Sequence, residues 1–254
     1  MILNNMRPSV MRMEEGGTGL HGQIRLILFD LDDTLLHFDD YWEASSKEAF
    51  RHHPLTCEED PDQLFACFRQ KSEVYERQYY HQQISIQQFR EKRFIETLAE
   101  FGKQADELSA KAFEKIYQQQ SKAFMKADER LIELLSTLQA RYLLGIVTNG
   151  TASWQQDKLQ ALGVNRFFPA ESVFISEQVG CEKPSPEIYY RPLRHFRVEP
   201  NEALFVGDSW KNDVEGPMRI GMKSIWFNKK GRTQPASPVP VGTIKQISEL
   251  KAFV

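Results

Sequence analysis

Hydrophobic and polar positions divide the chain into stretches of different rhythm. Leu26–Phe29 is a short unbroken apolar run, the pattern of a strand buried on both faces, and it ends abruptly in Asp30-Leu31-Asp32-Asp33-Thr34-Leu35-Leu36. From Asp39 to Met125 the apolar residues instead recur at helical spacing among Gln, Glu and Lys. A first helix is predicted over Tyr41 to about His52. A second has Asp60 as N-cap and Pro61 at its first position, with Leu64, Phe65, Phe68 and Tyr75 on one side. A third opens with Ser85 and Gln88 in a capping-box arrangement and runs through Phe89, Phe94, Leu98 and Phe101 to Gly102. A fourth carries Leu108, Phe113, Ile116 and Tyr117. Four helices with no strand between them predict a small bundle with these aromatics as its core.

From Asp128 onward helix and strand alternate. Leu131 to Ala140 is an amphipathic helix, Tyr142–Val147 a second buried strand, Thr151 to Leu162 a helix stopped by Gly163, and Val173–Ile175 a short strand. A helix then begins at Ser185-Pro186, with Pro192 predicted to kink or shorten it. Ala203–Val206 and, after another helical turn containing Pro217, Lys223–Phe227 complete five strands. Such alternation predicts an α/β fold, a parallel sheet flanked by helices, interrupted by an all-helical insert. The expected division is a flexible N-terminal extension over residues 1–23, a core over 24–37 and 127–254, and the insert over 38–126.

Composition narrows the class without naming a function. The 254 residues are 41% hydrophobic and 26% charged with net charge -3, an ordinary globular balance that lacks the concentrated basic surface nucleic acid requires. No run approaches a membrane span, and residues 1–23 lack the apolar stretch of a signal peptide. Three cysteines at scattered positions, Cys57, Cys67 and Cys181, argue against a disulfide framework and suit a reducing cytoplasm.

The polar residues collect at strand ends. Side chains alternate along an extended chain, so Asp30 and Asp32 project to the same side as the first strand runs out. Thr148-Asn149-Gly150 closes the second strand directly before a helix, where a hydroxyl and free N–H groups make an anion site. Lys183 sits in Gly180-Cys181-Glu182-Lys183-Pro184-Ser185-Pro186, and the fourth strand ends in Gly207-Asp208-Ser209-Trp210-Lys211-Asn212-Asp213. Each cluster alone reads equally well as a turn, a cap or a solvated lysine. Together they follow parallel strands and converge on one edge of one sheet, where open α/β folds bind ligands.

Charge then dictates the chemistry. Acids at 30, 32, 208 and 213 require a cation to gather, and a set of hard oxygen ligands suits Mg²⁺. A phosphate beside them would be repelled, by roughly 4 kcal/mol for each unit-charge pair at 4 Å and an effective dielectric of 20. A divalent metal, Lys183 and the Thr148 site reverse that sign, so the assembly reads as a phosphate-handling site. One Asp can attack phosphorus to give an acyl phosphate; the other, two residues away, can protonate the leaving alcohol and later deprotonate water.

With these residues in view, the chain resembles a phosphatase of the haloacid dehalogenase superfamily from about Leu26 to Phe227. The motifs are Asp30-Leu31-Asp32-Asp33-Thr34, Thr148, Gly180 to Pro184, and Gly207-Asp208 with Asp213 five residues on. The resemblance implies a Rossmann-like core and a helical cap inserted after the first motif. It implies Asp30 as nucleophile and Mg²⁺ ligand, and Asp32 as acid/base ligating metal through its backbone carbonyl. Thr34 would hold the loop, Thr148 and the Asn149 amide would bind phosphate, and Lys183 would offset charge. Asp208 would ligate Mg²⁺, with Asp213 a ligand through water or a support behind it.

An acid at position 32 favours phosphoryl transfer over dehalogenation, whose halide leaves without a proton. Asp33, where mutase members normally show Gly, speaks against a mutase. The resemblance thus implies a hydrolase acting on a small phosphorylated metabolite, a nucleoside monophosphate or a sugar phosphate. A phosphotransferase or mutase and a non-catalytic binding protein stand as alternatives. Substrate choice is expected from the cap and the hinge segment His37 to Trp42, with Arg69, Arg90 and Arg93 as candidate contacts otherwise read as solvated helix residues. No nucleic-acid or membrane partner is expected, and oligomeric state stays open.

Overall fold

The computed structural model describes residues 23–81 and 83–254; nearly all of the expected N-terminal extension, residues 1–22, lies outside them. Six parallel strands form one sheet in the order β3-β2-β1-β4-β5-β6. They are β1 Leu26–Phe29, β2 Leu143–Thr148, β3 Val173–Ile175, β4 Ala203–Gly207, β5 Lys223–Phe227 and β6 Gly242–Ile244. The chain lays β2 and β3 on one side of β1, then returns to place β4 on the other. That reversal puts a crevice at the carboxyl ends of β1 and β4, the position where such sheets take ligands. Each residue of β1 and β4 is buried, which is why these strands are continuous apolar runs with no polar alternation.

Four helices lie between β1 and the rest of the core: α1 Phe38–His52, α2 Pro61–Tyr80, α3 Ile86–Glu100 and α4 Glu107–Ser121. Their ends are set locally. The Asp60 side chain accepts the Asp62 N–H with Pro61 at the first helical position, and Ser85 with Gln88, then Asp106 with Ser109, close reciprocal capping boxes. α3 gives way to Gly102 in the left-handed region at φ +68°. Inside, Phe50, Phe68, Phe94 and Phe113 are fully buried with ring centroids 4.7–5.5 Å apart in successive pairs, and the aromatics are the bundle's core as expected. Leu108, assigned to the apolar pattern of α4, points outward at 75% exposure.

The remaining helices are α5 Glu129–Gln139, α6 Ala152–Leu162, α7 Ser176–Val179, α8 Pro186–Phe196 and α9 Gly216–Arg219, with a π-helical turn at Trp210–Glu215. Gly163 ends α6 in the left-handed region at φ +73°. α8 runs on through Pro192 to Phe196, so the proline does not cut the helix short. Pro192 is buried on the face that packs Ile188, Tyr189 and Leu193 against the sheet, and that packing offsets the missing N–H. The short helix α7 and the sixth strand were not expected.

Candidate active site

β1 ends at Phe29, and Asp30 is the next residue, its N–H still bound to the Val206 carbonyl of β4 at 2.9 Å. The carboxylate is thereby fixed at the sheet edge. Its Oδ1 accepts from Lys183 Nζ at 2.7 Å, and its Oδ2 accepts from the Thr34 hydroxyl at 3.3 Å. Thr34 Oγ1 also accepts the Asp208 N–H at 3.2 Å, which ties the loop after β1 to the loop after β4. Asp33 turns that first loop with φ +57°, a conformation Asp tolerates better than most residues. Its Oδ1 accepts the Phe38 N–H at 3.0 Å and so starts α1, where His37 offers no side-chain cap.

Lys183 arrives from the loop between α7 and α8, and Asn149 at the end of β2 sets its position. Asn149 Oδ1 accepts the Lys183 N–H at 2.8 Å while Asn149 Nδ2 donates to the Lys183 carbonyl at 3.1 Å. The buried ammonium then bridges Asp30 and Asp213, donating to each at 2.7 Å. Asp213, fully buried in the π-helical turn, also accepts the Ser209 N–H at 2.9 Å. The turn lies so close to β4 that a Cβ on Gly207 would meet the Asp213 carboxylate at 2.4 Å, so the strand end requires glycine.

One buried ammonium therefore bridges two carboxylates, while the half-buried Asp208 beside them has the Arg232 guanidinium 3.8 Å from its Oδ2. Oxygen atoms of Asp30, Asp208 and Asp213 lie within 4.8 Å of one another. Burial pushes Asp30 up to about 8, opposed by Lys183 and reinforced by Asp213. Burial likewise pushes Asp208 up to about 7, with Asp213 and Asp33 adding to it. For Lys183 burial works against the charge, yet Asp213 and Asp30 outweigh it and hold the ammonium above its ordinary range. An all-oxygen donor set of two buried carboxylates and one half-buried one fits a hard divalent cation such as Mg²⁺.

The Asp32 carboxylate is not part of this group and stands on the cleft side. Lys158 Nζ donates to both its oxygens, at 2.6 and 2.8 Å, and Gln155 Nε2 reaches Oδ2 at 2.9 Å. Gln155 Nε2 also lies 2.5 Å from Thr148 Oγ1 and 3.2 Å from the Asn149 carbonyl. The structure thus brings Asp30, Thr34, Lys183, Asp208 and Asp213 into one cluster. It sets Asp32, Thr148 and Asn149 against its rim, and it adds Gln155 and Lys158. Those two polar residues share the buried side of α6 with Leu159 and Leu162. Polar side chains on the apolar stripe of a helix following a strand-end Thr-Asn-Gly were the signal in the sequence.

Beside the cluster opens a cleft of about 760 Å³. Asp32, Asn149, Trp154 and Lys158 line one wall; Tyr79, Ile86, Arg90 and Gln118, from α2, α3 and α4, line the other. Of the candidate arginines only Arg90 reaches it. Arg69 is exposed elsewhere on α2, and Arg93, read as solvated, is buried with its guanidinium between Phe68 and Phe89 and 2.7 Å from Glu114. The segment His37 to Trp42 does not line this cleft; His37, Asp40 and Tyr41 face a separate cavity of about 360 Å³. Among the described residues no helix is long and apolar enough to cross a membrane.

Comparison with known proteins places the chain among relatives. The family described as haloacid dehalogenase-like hydrolase matches residues 27–227. The glyceraldehyde 3-phosphate phosphatase of Methanopyrus kandleri is 29% identical over 219 residues, 85% of this chain and 88% of that one. The pyrimidine 5'-nucleotidase YjjG of Escherichia coli is 30% identical over 124 residues, 48% of this chain and 54% of that one. Among solved structures, the HAD-hydrolase YfnB of Bacillus subtilis superposes with a TM-score of 0.71 at 26% identity, covering 90% of this chain and 97% of that one. YfnB was solved bound to magnesium in a form that reveals interdomain movement.

Proposed function

The chain belongs to the haloacid dehalogenase-like hydrolases, and from that premise we propose that it is a Mg²⁺-dependent phosphatase of small phosphorylated metabolites. The observation that carries this reading is the single ammonium of Lys183 shared by Asp30 and Asp213, with Asp208 alongside, at the carboxyl edge of the sheet. Two buried carboxylates, a third half-buried one and a single buried lysine make a site that can receive a phosphate dianion only with a further cation. Asp30, Asp208 and Asp213 would hold Mg²⁺, which supplies the positive charge that draws a phosphoryl group to a carboxylate.

Asp30 then attacks phosphorus, forming its acyl–phosphate bond as the ester P–O bond breaks, and Asp32 gives its proton to the departing alkoxide. Lys183 and the Thr148 hydroxyl neutralise and orient the phosphoryl oxygens. In the second half, water attacks phosphorus, its proton passes back to Asp32, and the bond to Asp30 breaks to release phosphate. A carboxylic acid at Asp32 suits an alcohol leaving group and is superfluous for a halide.

The relatives' substrates, glyceraldehyde 3-phosphate and pyrimidine 5'-nucleotides, bracket the class expected here. The helices over 38–126 act as a cap that closes the cleft and selects the alcohol, in keeping with the interdomain movement seen in YfnB.

Phosphate release from a panel of sugar phosphates and nucleoside monophosphates, with Mg²⁺ or EDTA, tests the proposal. Metal-dependent release from a preferred substrate is expected. Asp30→Asn should lower it by on the order of 10⁴-fold or more, as removal of a covalent nucleophile does. A folded, Mg²⁺-loaded wild type that releases phosphate from nothing in the panel would sink the reading.

A further inference from the structure

We infer that Lys158 and Gln155, which lie outside the four motifs, are positioning residues: they hold the Asp32 carboxylate and the Thr148 hydroxyl in working orientation. The inference rests on the phosphatase reading of the site. The two residues are three apart on α6 and so share a face, and that face is buried, with Gln155 at 1% and Lys158 at 6% exposure.

A buried ammonium is costly without a partner, and among the described residues the ion pair of Lys158 is with Asp32 alone. The partner is unlike the other acids. Its side chain is 42% exposed toward the cleft, at the end of a loop, where an untethered Asp would sample several rotamers. Two donated bonds from Lys158 and one from Gln155 fix one edge of the carboxylate and leave the other facing the incoming ester.

Gln155 links this acid to the phosphate side. Its Nε2 carries two hydrogens and faces three acceptors: Thr148 Oγ1, Asp32 Oδ2 and the Asn149 carbonyl. A Thr148 oxygen that accepts from Gln155 keeps its own hydrogen for a phosphoryl oxygen. One carboxamide therefore orients the group that receives phosphate and the group that protonates the alcohol.

A lysine that acts through the acid has a distinctive kinetic signature. An alkoxide needs a proton to leave, and 2,4-dinitrophenolate does not. In Mg²⁺-loaded enzyme, Lys158→Met should slow single-turnover cleavage of the best alkyl phosphate by about 10²-fold. Dinitrophenolate release from 2,4-dinitrophenyl phosphate should stay within about twofold of wild type. On an Asp32→Ala background, Lys158→Met should add no further loss with the alkyl ester. Gln155→Leu should show the same selective loss together with a raised KM for both esters, because Thr148 loses its orientation too.

Equal losses on both esters, losses that add to Asp32→Ala, or a rise in KM alone for Lys158→Met would mean that Lys158 touches substrate or merely supports the fold. Any of these overturns the inference. Should Lys158→Met fail to fold, Lys158→Arg carries the same test, since it keeps the charge but displaces the donors. A smaller loss confined to the alkyl ester supports the inference, and an equal effect on both esters, or none, overturns it. Wild type that cleaves neither ester overturns the phosphatase reading and this inference with it. Active wild type with an indifferent Lys158→Met overturns this inference alone.

Discussion

Two surfaces face each other across the cleft, and they are built on opposite principles. On the sheet side, behind the wall that Asp32, Asn149, Trp154 and Lys158 present to the cleft, Asp30, Thr34, Thr148, Lys183 and Asp213 are all at or below 6% exposure, and the bonds that hold them come from residues after three different strands. On the helical side, Tyr79 is 37% and Ile86 42% exposed, and Arg90 stands 3.7 Å from Glu114 with 40% of its side chain in solvent. The sheet side cannot change one group without disturbing the others; the helical side can change almost freely. Chemistry is therefore tied to the scaffold, and choice of leaving group is left to side chains whose replacement leaves the fold intact.

The sharpest way to break that comparison is to remove the ammonium both buried acids share. Lys183→Met strands Asp30 and Asp213 without a cation, and breaking a buried pair in this way costs about 3–5 kcal/mol. Denaturant unfolding in EDTA should show that loss, with part of it recovered by Mg²⁺ as the cation restores positive charge. Phosphate release should fall by about 10³-fold or more even in saturating Mg²⁺, because the phosphoryl group loses a fixed counter-charge. A variant as stable as wild type in EDTA would show that the acids do not depend on Lys183.

The same contrast explains what was legible in the sequence. Asp30, Thr148 and Asp208 could be read because each follows an apolar run, and position after a strand is a local property. Lys183 and Asp213 could be read from the motifs around them. Gln155 and Lys158 were missed because their place on the stripe of Leu159 and Leu162 is a faint signal, and the face they meet, the acid loop after β1, is distant in sequence. Arg93 misled for the same reason: Phe68 and Glu114, which bury it, come from α2 and α4. β6 spans Gly242–Ile244 beyond a Pro-rich segment, too short to carry a periodic pattern. Strand order lies in the pairing of distant segments, which no local rhythm encodes.

Acid loading of the sheet side makes a second, smaller effect measurable without substrate. Folding raises Asp30 to about 8 and Asp208 to about 7 from an ordinary value of 3.8. Between these limits the folded metal-free protein holds protons that the unfolded chain has released, so its stability falls as pH rises. Below about pH 4 both states are protonated and the penalty is absent; above about pH 8 it is complete. His37 and His53, whose values burial lowers, act in the opposite sense below their ordinary 6.5, so the clean window runs from there upward. In EDTA the melting temperature should drop by about 5–10 °C between pH 6.5 and pH 8. Mg²⁺ should raise it more at the upper end, and Asp30→Asn should flatten most of the slope. A melting temperature that rises across this window in EDTA would contradict the shared-acid picture.

The helical side should give the smallest effect on the fold and a selective one on turnover. Arg90→Ala removes a half-solvated charge whose pairing with Glu114 is long, so stability should stay within about 0.5 kcal/mol of wild type. The guanidinium nevertheless lines the cleft opposite Lys158 and Trp154, where the alcohol of a substrate would lie. For a sugar phosphate or nucleotide with polar groups beyond the phosphate, KM should rise about three- to tenfold, the value of one contact near 1 kcal/mol. For 2,4-dinitrophenyl phosphate, which offers Arg90 no such hydroxyls or carbonyls, KM should hardly move, and kcat should be unchanged for both. Loss of kcat on both esters would place Arg90 with the sheet-side machinery and erase the division between fixed chemistry and adjustable choice. A rise in KM confined to the larger substrate would locate the choice on a surface that the fold leaves free to vary.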